Sequence, residues 1–353
     1  MKKRAYSLDA FRVLAIFGVF LSHLSFYNDG LPGDATLISG TVLSAGGIAA
    51  HFFILLSAFM VAYSFDRSIS VGYAEYIRKR ARRLLPLNMF LIPFYVIVLF
   101  IMGLNNFSWL DIIAKVILSS FLIQELLHFS SMCLNAPAWT ISTLFILYFI
   151  TPWLMRPLQR IRQPWVLVLL VVVLMFADIE YRNWLASLKP HNSWINYASP
   201  INRLVSYVEG LTLGYAARVV TCPEWLRCRA TWLELPVFGA VVYGCLIMGS
   251  NIDVSYRLLL YSMPPLIALC YMEAGAVSRA VARSFVSKMS PYVYAFYLVH
   301  YLCLCVSVIV CQRILGIWTH MSMLQLSVTV AVTSFCACVL SVVLHHCVEK
   351  RFA

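Results

Sequence analysis

Apolar runs of about twenty residues recur along the whole chain, separated by short polar connections. An α-helix rising 1.5 Å per residue needs about 20 such residues to cross the hydrocarbon of a bilayer. The pattern therefore predicts ten spans, near residues 8–27, 41–65, 84–104, 139–155, 165–179, 202–220, 234–250, 256–273, 290–312 and 322–346. The stretch 108–127 is apolar only in part, carrying Asp111, Lys115 and Glu125. It reads as a re-entrant or interfacial segment. No fixed-period repeat, low-complexity tract or long linker interrupts the pattern, so the expectation is a single domain, 1–353, built as an all-α polytopic membrane bundle.

Composition agrees with the pattern. Hydrophobic residues make up 61% of the chain and charged residues 12%, against about 25% charged in soluble domains; mean hydropathy is +0.82. The opening Met1-Lys2-Lys3-Arg4 before an apolar run resembles a secretion signal, but Asp9, Arg12 and His23 interrupt that run and no clean cleavage site follows. Of eleven cysteines, Cys303, Cys305, Cys336 and Cys338 fall in apolar segments, where they read as small packing residues. Cys222 and Cys228 share a loop with no second pair and no nearby histidine, so neither zinc nor a disulfide framework is expected.

The net charge of +12 is spread over short loops, which argues against nucleic acid and for membrane topology. With ten spans, twenty basic residues fall on one side, from Lys2, Lys3 and Arg4 to Lys350 and Arg351. Only Arg182, Lys189, Arg257 and Arg313 fall on the other. A full crossing at 108–127 would send Arg156, Arg160 and Arg162 to the wrong side. The positive-inside rule thus predicts both termini in the cytoplasm.

Within the spans, ionisable side chains stand out, because each costs about 2.5–3.5 kcal/mol at a helix centre on insertion scales. Arg12 and His23 are eleven residues apart in the first span, which puts them on one helical face about 16 Å apart along the axis. His23 suits a general base for a hydroxyl, a covalent acyl relay, or a hydrogen-bonded bundle histidine. Arg12 suits a phosphate or an oxyanion, or an i,i+3 pair with Asp9 that lets it snorkel to the interface. Arg78, Lys79, Arg80, Arg82 and Arg83 form a basic cluster leading into the third span, suited to phosphate recognition or to topology anchoring. His51 reads as a packing or interfacial histidine, and Arg203 as either a lining residue or an anchor. Gly210 and Gly214 read as a close helix-packing face. Glu349 reads as the partner of a nearby basic residue, and His345 and His346 as interface residues.

Seven scattered motifs, in order, give the chain a resemblance to the integral-membrane acyltransferase-3 family, which includes O-acetyltransferases of bacterial surface polysaccharides. Leu8-Asp9-Ala10-Phe11-Arg12 followed by His23 is similar to the family's opening L-D-G-L-R and its arginine-x10-histidine spacing. Phe53 to Phe59, including Ser57, resembles F-F-V-L-S-G-F. Arg80, Arg83 and Pro86 fit R-x-x-R-I-x-P, and Trp139, Ser142, Tyr148 and Pro152 fit W-S-L-S-V-E-E-Q-F-Y-L-L-W-P. Arg203-Leu204 with Gly210 and Gly214, Tyr294 to His300 with Tyr297, and the tail around Glu349 complete the series. Leu144 replaces the family's glutamate, His51 an acidic residue or proline, and Arg351 the terminal proline.

The resemblance implies an inner-membrane O-acyltransferase with His23 and Arg12 as catalytic residues. Arg80 and Arg83 would bind the co-substrate acyl-CoA, most simply acetyl-CoA. Asp9, Ser57, Trp139, Arg203, Tyr297, His300 and Glu349 would support the site. The partners implied are the lipid bilayer, acyl-CoA and a glycan acceptor, with no metal and no nucleic acid. The expectation is that the membrane domain, alone or with a separate partner, would complete the transfer without the hydrolase-like domain that some members of the family carry. A transporter or flippase of a polar or lipid-linked substrate is the rival class, since intramembrane Arg and His suit it too; paired inverted repeats, its usual signature, are not visible.

Overall fold

The computed structural model describes residues 5–30, 45–65, 72–102, 108–248, 250–318 and 321–352. Lys2, Lys3, Arg4 and Arg67, used in the loop-charge argument, lie outside these, as do the outer ends of the spans predicted at 41–65 and 84–104. Twelve α-helices of eight residues or more occur among the described residues. They are α1 Tyr6–His23, α2 Ala45–Tyr63, α3 Tyr73–Ile101, α4 Trp109–Ser120, α5 Trp139–Arg160, α6 Pro164–Leu188, α7 Leu204–Val219, α8 Ala230–Ile247, α9 Ile252–Met272, α10 Ala276–Arg283, α11 Val293–Ile309 and α12 Met323–Leu344. No strand is present among the described residues.

Among the described residues, eight helices are long and apolar enough to cross a membrane. The count is nine when α9 and α10, bent by 71° at a short break, are taken as one span. The remaining predicted span, 202–220, is realised as α7, only 16 residues long. At 1.5 Å per residue α7 is about 24 Å, shorter than a hydrocarbon core of about 30 Å. Its start is displaced because residues 199–203 leave helical geometry and Arg203 becomes its cap. Segment 108–127 holds α4, 12 residues capped by the Ser108 side chain on the Asp111 amide. A helix of about 18 Å does not cross a bilayer.

The chain divides into two compact units, each drawn from three separate stretches. The first gathers Met1–Ala15, Gly47–Ile77 and Leu147–Ser290; the second gathers Ile16–Gly46, Arg78–Ile146 and Pro291–Ala353. Because the stretches interleave in sequence, neither unit is a domain that could be cut out as one segment.

In the first unit α7 lies directly on α2. A Cβ at Gly210 would strike the Leu55 carbonyl and Ala58, and one at Gly214 would strike the Phe59 backbone. Glycines four residues apart let two backbones approach this closely, the small-xxx-small mode of membrane helix packing. Polar ties reinforce the unit: Thr151 Oγ1 and Tyr207 OH are 2.6 Å apart, and Ser7 Oγ donates to the Cys270 carbonyl at 2.5 Å.

In the second unit Phe20, Leu24 and Tyr27 pack with Leu304, Val308, Cys311, Met321 and Leu326. The Tyr27 hydroxyl meets Ser307 at 2.5 Å and Thr333 at 3.1 Å, so its polar tip is satisfied inside the apolar cluster. Asn88 Nδ2 on α3 donates to the Ser119 carbonyl at the end of α4 at 2.7 Å. A coil with three short 3₁₀ turns, Gln124–Leu126, His128–Ser130 and Ala136–Ala138, spans 121–138 after α4, with Leu122, Met132 and Leu134 in the left-handed region at φ 55°, 53° and 56°. Such backbone costs a non-glycine residue about 1–2 kcal/mol. Buried Glu125 holds the coil, accepting from the Met132 amide at 3.0 Å and Ser131 Oγ at 2.7 Å. Burial pushes its carboxyl above the usual glutamate range, although these two bonds pull it back down.

Candidate active site

His23 ends α1 in the second unit. Its Nδ1 lies 2.8 Å from the Val19 carbonyl oxygen, one turn back. A carbonyl only accepts, so Nδ1 carries the proton, and in the neutral imidazole Nε2 holds the free lone pair. His300 on α11 repeats the arrangement, with Nδ1 3.1 Å from the Phe296 carbonyl. The two rings are 5.3 Å apart between centroids. His300 is wholly buried, and its Nε2 has no hydrogen-bond partner among the described residues. A buried nitrogen left unbonded costs about 1–3 kcal/mol, which a ligand hydroxyl or a water would recover.

Aromatic side chains wall this pair. Tyr301 stands edge-on to His23 at 5.8 Å and stacks on Tyr95 at 6.3 Å. Phe296 stacks on His300 at 5.8 Å, and Phe20 meets it edge-on at 6.1 Å. The coil over 121–138 fixes α11 from outside: the Tyr297 hydroxyl donates to the Pro137 carbonyl at 2.5 Å, and Asn135 Nδ2 to the Leu298 carbonyl at 3.2 Å. Tyr95 OH donates to the same Leu298 carbonyl at 2.7 Å. Trp139, at the start of α5, is buried in this unit. His300 and Tyr297 therefore share surroundings with His23; Tyr95, Tyr301 and Asn135 belong there too and were missed. Tyr301 directly follows the Y-A-F-Y-L-V-H run, which was the available signal.

Arg80 is half-buried on α3 and Arg83 exposed. Beside Arg83 on α3, the Leu84 carbonyl accepts from the Tyr294 hydroxyl at 2.5 Å. Glu349 accepts from His345 Nδ1 at 2.9 Å, so the basic residue it meets is one that sequence alone had left at an interface.

In the first unit, Arg12 Nη1 binds Asp9 Oδ1 at 3.2 Å, and the same oxygen accepts from Ser290 Oγ at 3.0 Å. The i,i+3 pair thus exists, tethered to a third residue. Ser57 is half-buried on α2. Arg203 is buried, donating from Nε to the Tyr197 carbonyl at 2.9 Å with its guanidinium 5.2 Å from the Tyr197 ring. Arg203 is thus held inside this unit by a carbonyl bond and a ring contact.

A second polar cluster in this unit was not anticipated. Arg182 Nη2 donates to Asp178 Oδ2 at 2.5 Å and Ser206 Oγ at 2.7 Å, and lies 2.5 Å from His51 Nδ1. Its Nη1 donates to Tyr256 OH at 2.7 Å, and Ser206 donates to Asp178 Oδ1 at 2.7 Å. All but Tyr256 are buried. Loop counting had placed Arg182 outside the bundle, yet α6 continues to Leu188 and carries it inside. His51 accordingly packs against an ion pair rather than at an interface. The signal was present: Asp178 and Arg182 are four residues apart, the spacing of an intrahelical pair. Among the described residues, no three His, Cys, Asp or Glu side chains converge as metal ligands would, and all eleven cysteines are free thiols.

An O-acetyl transferase of Shigella phage Sf6 is 32% identical over 154 residues. The aligned part covers 40% of this chain and 44% of the phage protein, so the match spans less than half of that relative's length. No solved structure matches. The family model described as acyltransferase domain, Acyl_transf_3, matches residues 5–346, nearly the full length of the sequence. The chain belongs to the acyltransferase-3 family.

Proposed function

We propose that the protein is a membrane O-acyltransferase. It would move an acyl group, acetyl in the simplest case, from acyl-CoA on the cytoplasmic face of a bacterial inner membrane. The acceptor would be a hydroxyl of a surface polysaccharide or lipid-linked glycan on the opposite face. The phage relative's name speaks for O-acetyl transfer, and the single observation that carries the reading here is the geometry of His23. Its Nδ1 proton is committed to the Val19 carbonyl, leaving Nε2 as the basic atom beside a second imidazole.

In this reading Nε2 of His23 takes the proton of the acceptor hydroxyl as its oxygen attacks the thioester carbonyl. The tetrahedral intermediate collapses by expelling the CoA thiolate, which takes that proton and leaves as the thiol. A positioned base of this kind contributes about 10²–10⁴ in rate. His300 Nε2 can accept a second hydroxyl of the acceptor and so orient it. The surrounding Phe20, Tyr95, Phe296 and Tyr301 exclude water, which strengthens these polar interactions and protects the thioester from hydrolysis.

Arg80 and Arg83, i,i+3 neighbours on α3, are the residues we assign to the donor's phosphates, with guanidinium forks suited to them. Arg12, held by Asp9, is assigned to phosphate or oxyanion charge. The excess of basic loops on one side supports placing both termini in the cytoplasm.

The test uses purified protein in nanodiscs with radiolabelled acetyl-CoA and a membrane extract containing the glycan. Wild type should label the glycan, and His23→Ala should lose about 10²–10⁴ of that rate while reaching the membrane in the same amount. Glycan labelling undiminished in His23→Ala would remove His23 as the base. Movement of a glycan across the bilayer with no acetyl-CoA consumed would instead establish a transporter.

A further inference from the structure

Outside the histidine site, the second unit carries a groove of about 750 Å³ between the first half of α3 and the C-terminal residues 347–352. Arg78, Arg82 and Arg351 line it, and the rest of its wall is apolar, including Leu85, Met89, Phe90 and Val348. On α3 the lining positions 78, 82, 85 and 89 follow helical spacing, so they form one face. Arg80 is about 140–180° around the helix from them, and neither Arg80 nor Arg83 lines the groove, which is therefore distinct from the donor contact assigned above. From Arg78 to Phe90 the face descends about 18 Å. It passes from guanidinium groups to bare hydrocarbon and continues along exposed Phe90 and Ile97, 46% and 55% accessible.

That gradient is the profile of one lipid molecule. Charge at one end calls for a phosphate, the apolar wall calls for hydrocarbon, and a long exposed apolar stripe beyond it is what acyl chains cover. A nucleotide would instead need polar partners for its base and sugar, and apart from the arginines the wall offers almost none. Glu349, the carboxylate nearest this segment of the tail, is occupied by His345. We propose that this groove binds an anionic phospholipid, with its phosphate held by Arg78, Arg82 and Arg351 and its acyl chains along Leu85, Met89, Phe90 and Ile97. The lipid would clamp the C-terminal segment to α3, and the proposal stands whether or not the acyl-transfer reading does.

The experiment is native mass spectrometry of the full chain released from micelles containing equal phosphatidylglycerol and phosphatidylcholine, read as the ratio of lipid adducts. A surface arginine contributes about a five-fold preference for anionic lipid, so Arg82→Gln with Arg351→Gln should lower phosphatidylglycerol retention about thirty-fold. Arg160→Gln with Arg162→Gln, which removes the same charge elsewhere, should leave it unchanged. A photoactivatable phosphatidylglycerol on the unmodified protein gives a second readout independent of the variants' folding, and should cross-link to peptides spanning 85–90 and 347–352. Equal retention by both lipids, equal loss in both double variants, or cross-links confined to other helices would overturn the proposal. So would displacement of the lipid by soluble coenzyme A, which would transfer the groove to the donor.

Discussion

The Asp178–Arg182 pair allows a quantitative test of how this bundle tolerates buried charge. Arg182 Nη2 is within hydrogen-bond distance of Asp178, Ser206 and His51, and Nη1 donates to Tyr256. Replacing Asp178 with alanine leaves the guanidinium three neutral acceptors, so the cost should fall near the lower end of the roughly 3–5 kcal/mol for breaking a buried pair. Replacing Arg182 leaves Asp178 Oδ2 with only His51 Nδ1 at 3.9 Å, beyond hydrogen-bond distance, and Ser206 on Oδ1. That cost should fall near 5 kcal/mol. Removing both leaves no uncompensated charge, and the double variant should lose no more than the Arg182 variant alone. The coupling energy would then be about 3 kcal/mol, against about 0.6 kcal/mol for an average neutral hydrogen bond between membrane helices. Reversible unfolding in mixed micelles, followed by tryptophan fluorescence, measures all four species. Losses additive to within about 0.5 kcal/mol, or a larger loss for Asp178→Ala than for Arg182→Ala, would refute the reasoning.

Gly214→Ala should separate α7 from α2 and destabilise the protein by about 1–3 kcal/mol, as overpacking does, whereas Gly239→Ala, with open space at its Cβ, should cost little; the same unfolding assay compares them. Tyr297→Phe removes the bond to the Pro137 carbonyl and should cost about 0.5–1.5 kcal/mol, seen as faster amide exchange over 121–138. Met132→Gly relieves left-handed strain and should slow exchange in the same coil, offset by about 0.5–1 kcal/mol for added chain entropy. For Glu125 the folded carboxyl binds its proton more tightly than the unfolded one. Its contribution to stability is therefore greatest below the ordinary value of 4.5 and is lost as pH rises through the raised folded value. Exchange from the coil should quicken as pH rises above 4.5, after correction for intrinsic rates, and that component should vanish in Glu125→Gln.

Much of the architecture was legible because hydrocarbon thickness dictates helix length. The predicted span 139–155 lies inside α5, and 322–346 matches α12 to within two residues at each end. The Gly210–Gly214 face and the Asp9–Arg12 pair were readable from spacing alone. Hydropathy failed where polar groups satisfy one another. The predicted span 165–179 stops just after Asp178, yet α6 goes on to Leu188, and that carboxylate meets Arg182 one turn later. Length failed at α7, whose buried position on α2 lets 16 residues hold their place. Of the site, His23 could be read from its cost in a membrane. His300 was named from the resemblance, whereas its neighbours Tyr95 and Tyr301 come from α3 and α11, and only tertiary packing joins them to His23. Nor does a run of arginines reveal which of them face the groove, since Arg78 and Arg82 are separated from Arg80 only by their angle around α3.

The mooring of each imidazole to a carbonyl of its own helix restricts the choreography of any reaction at this centre. Rotating the His23 ring to present its other edge would sacrifice the bond to Val19, so a swinging imidazole that collects a proton at one nitrogen and delivers it from the other is disfavoured. Arrival and departure must share Nε2. In the proposed transfer the incoming alcohol and the departing thiolate would then be served in turn at one atom, and any carrier replacing the proposed donor would have to bring its sulfur to the same edge of the ring.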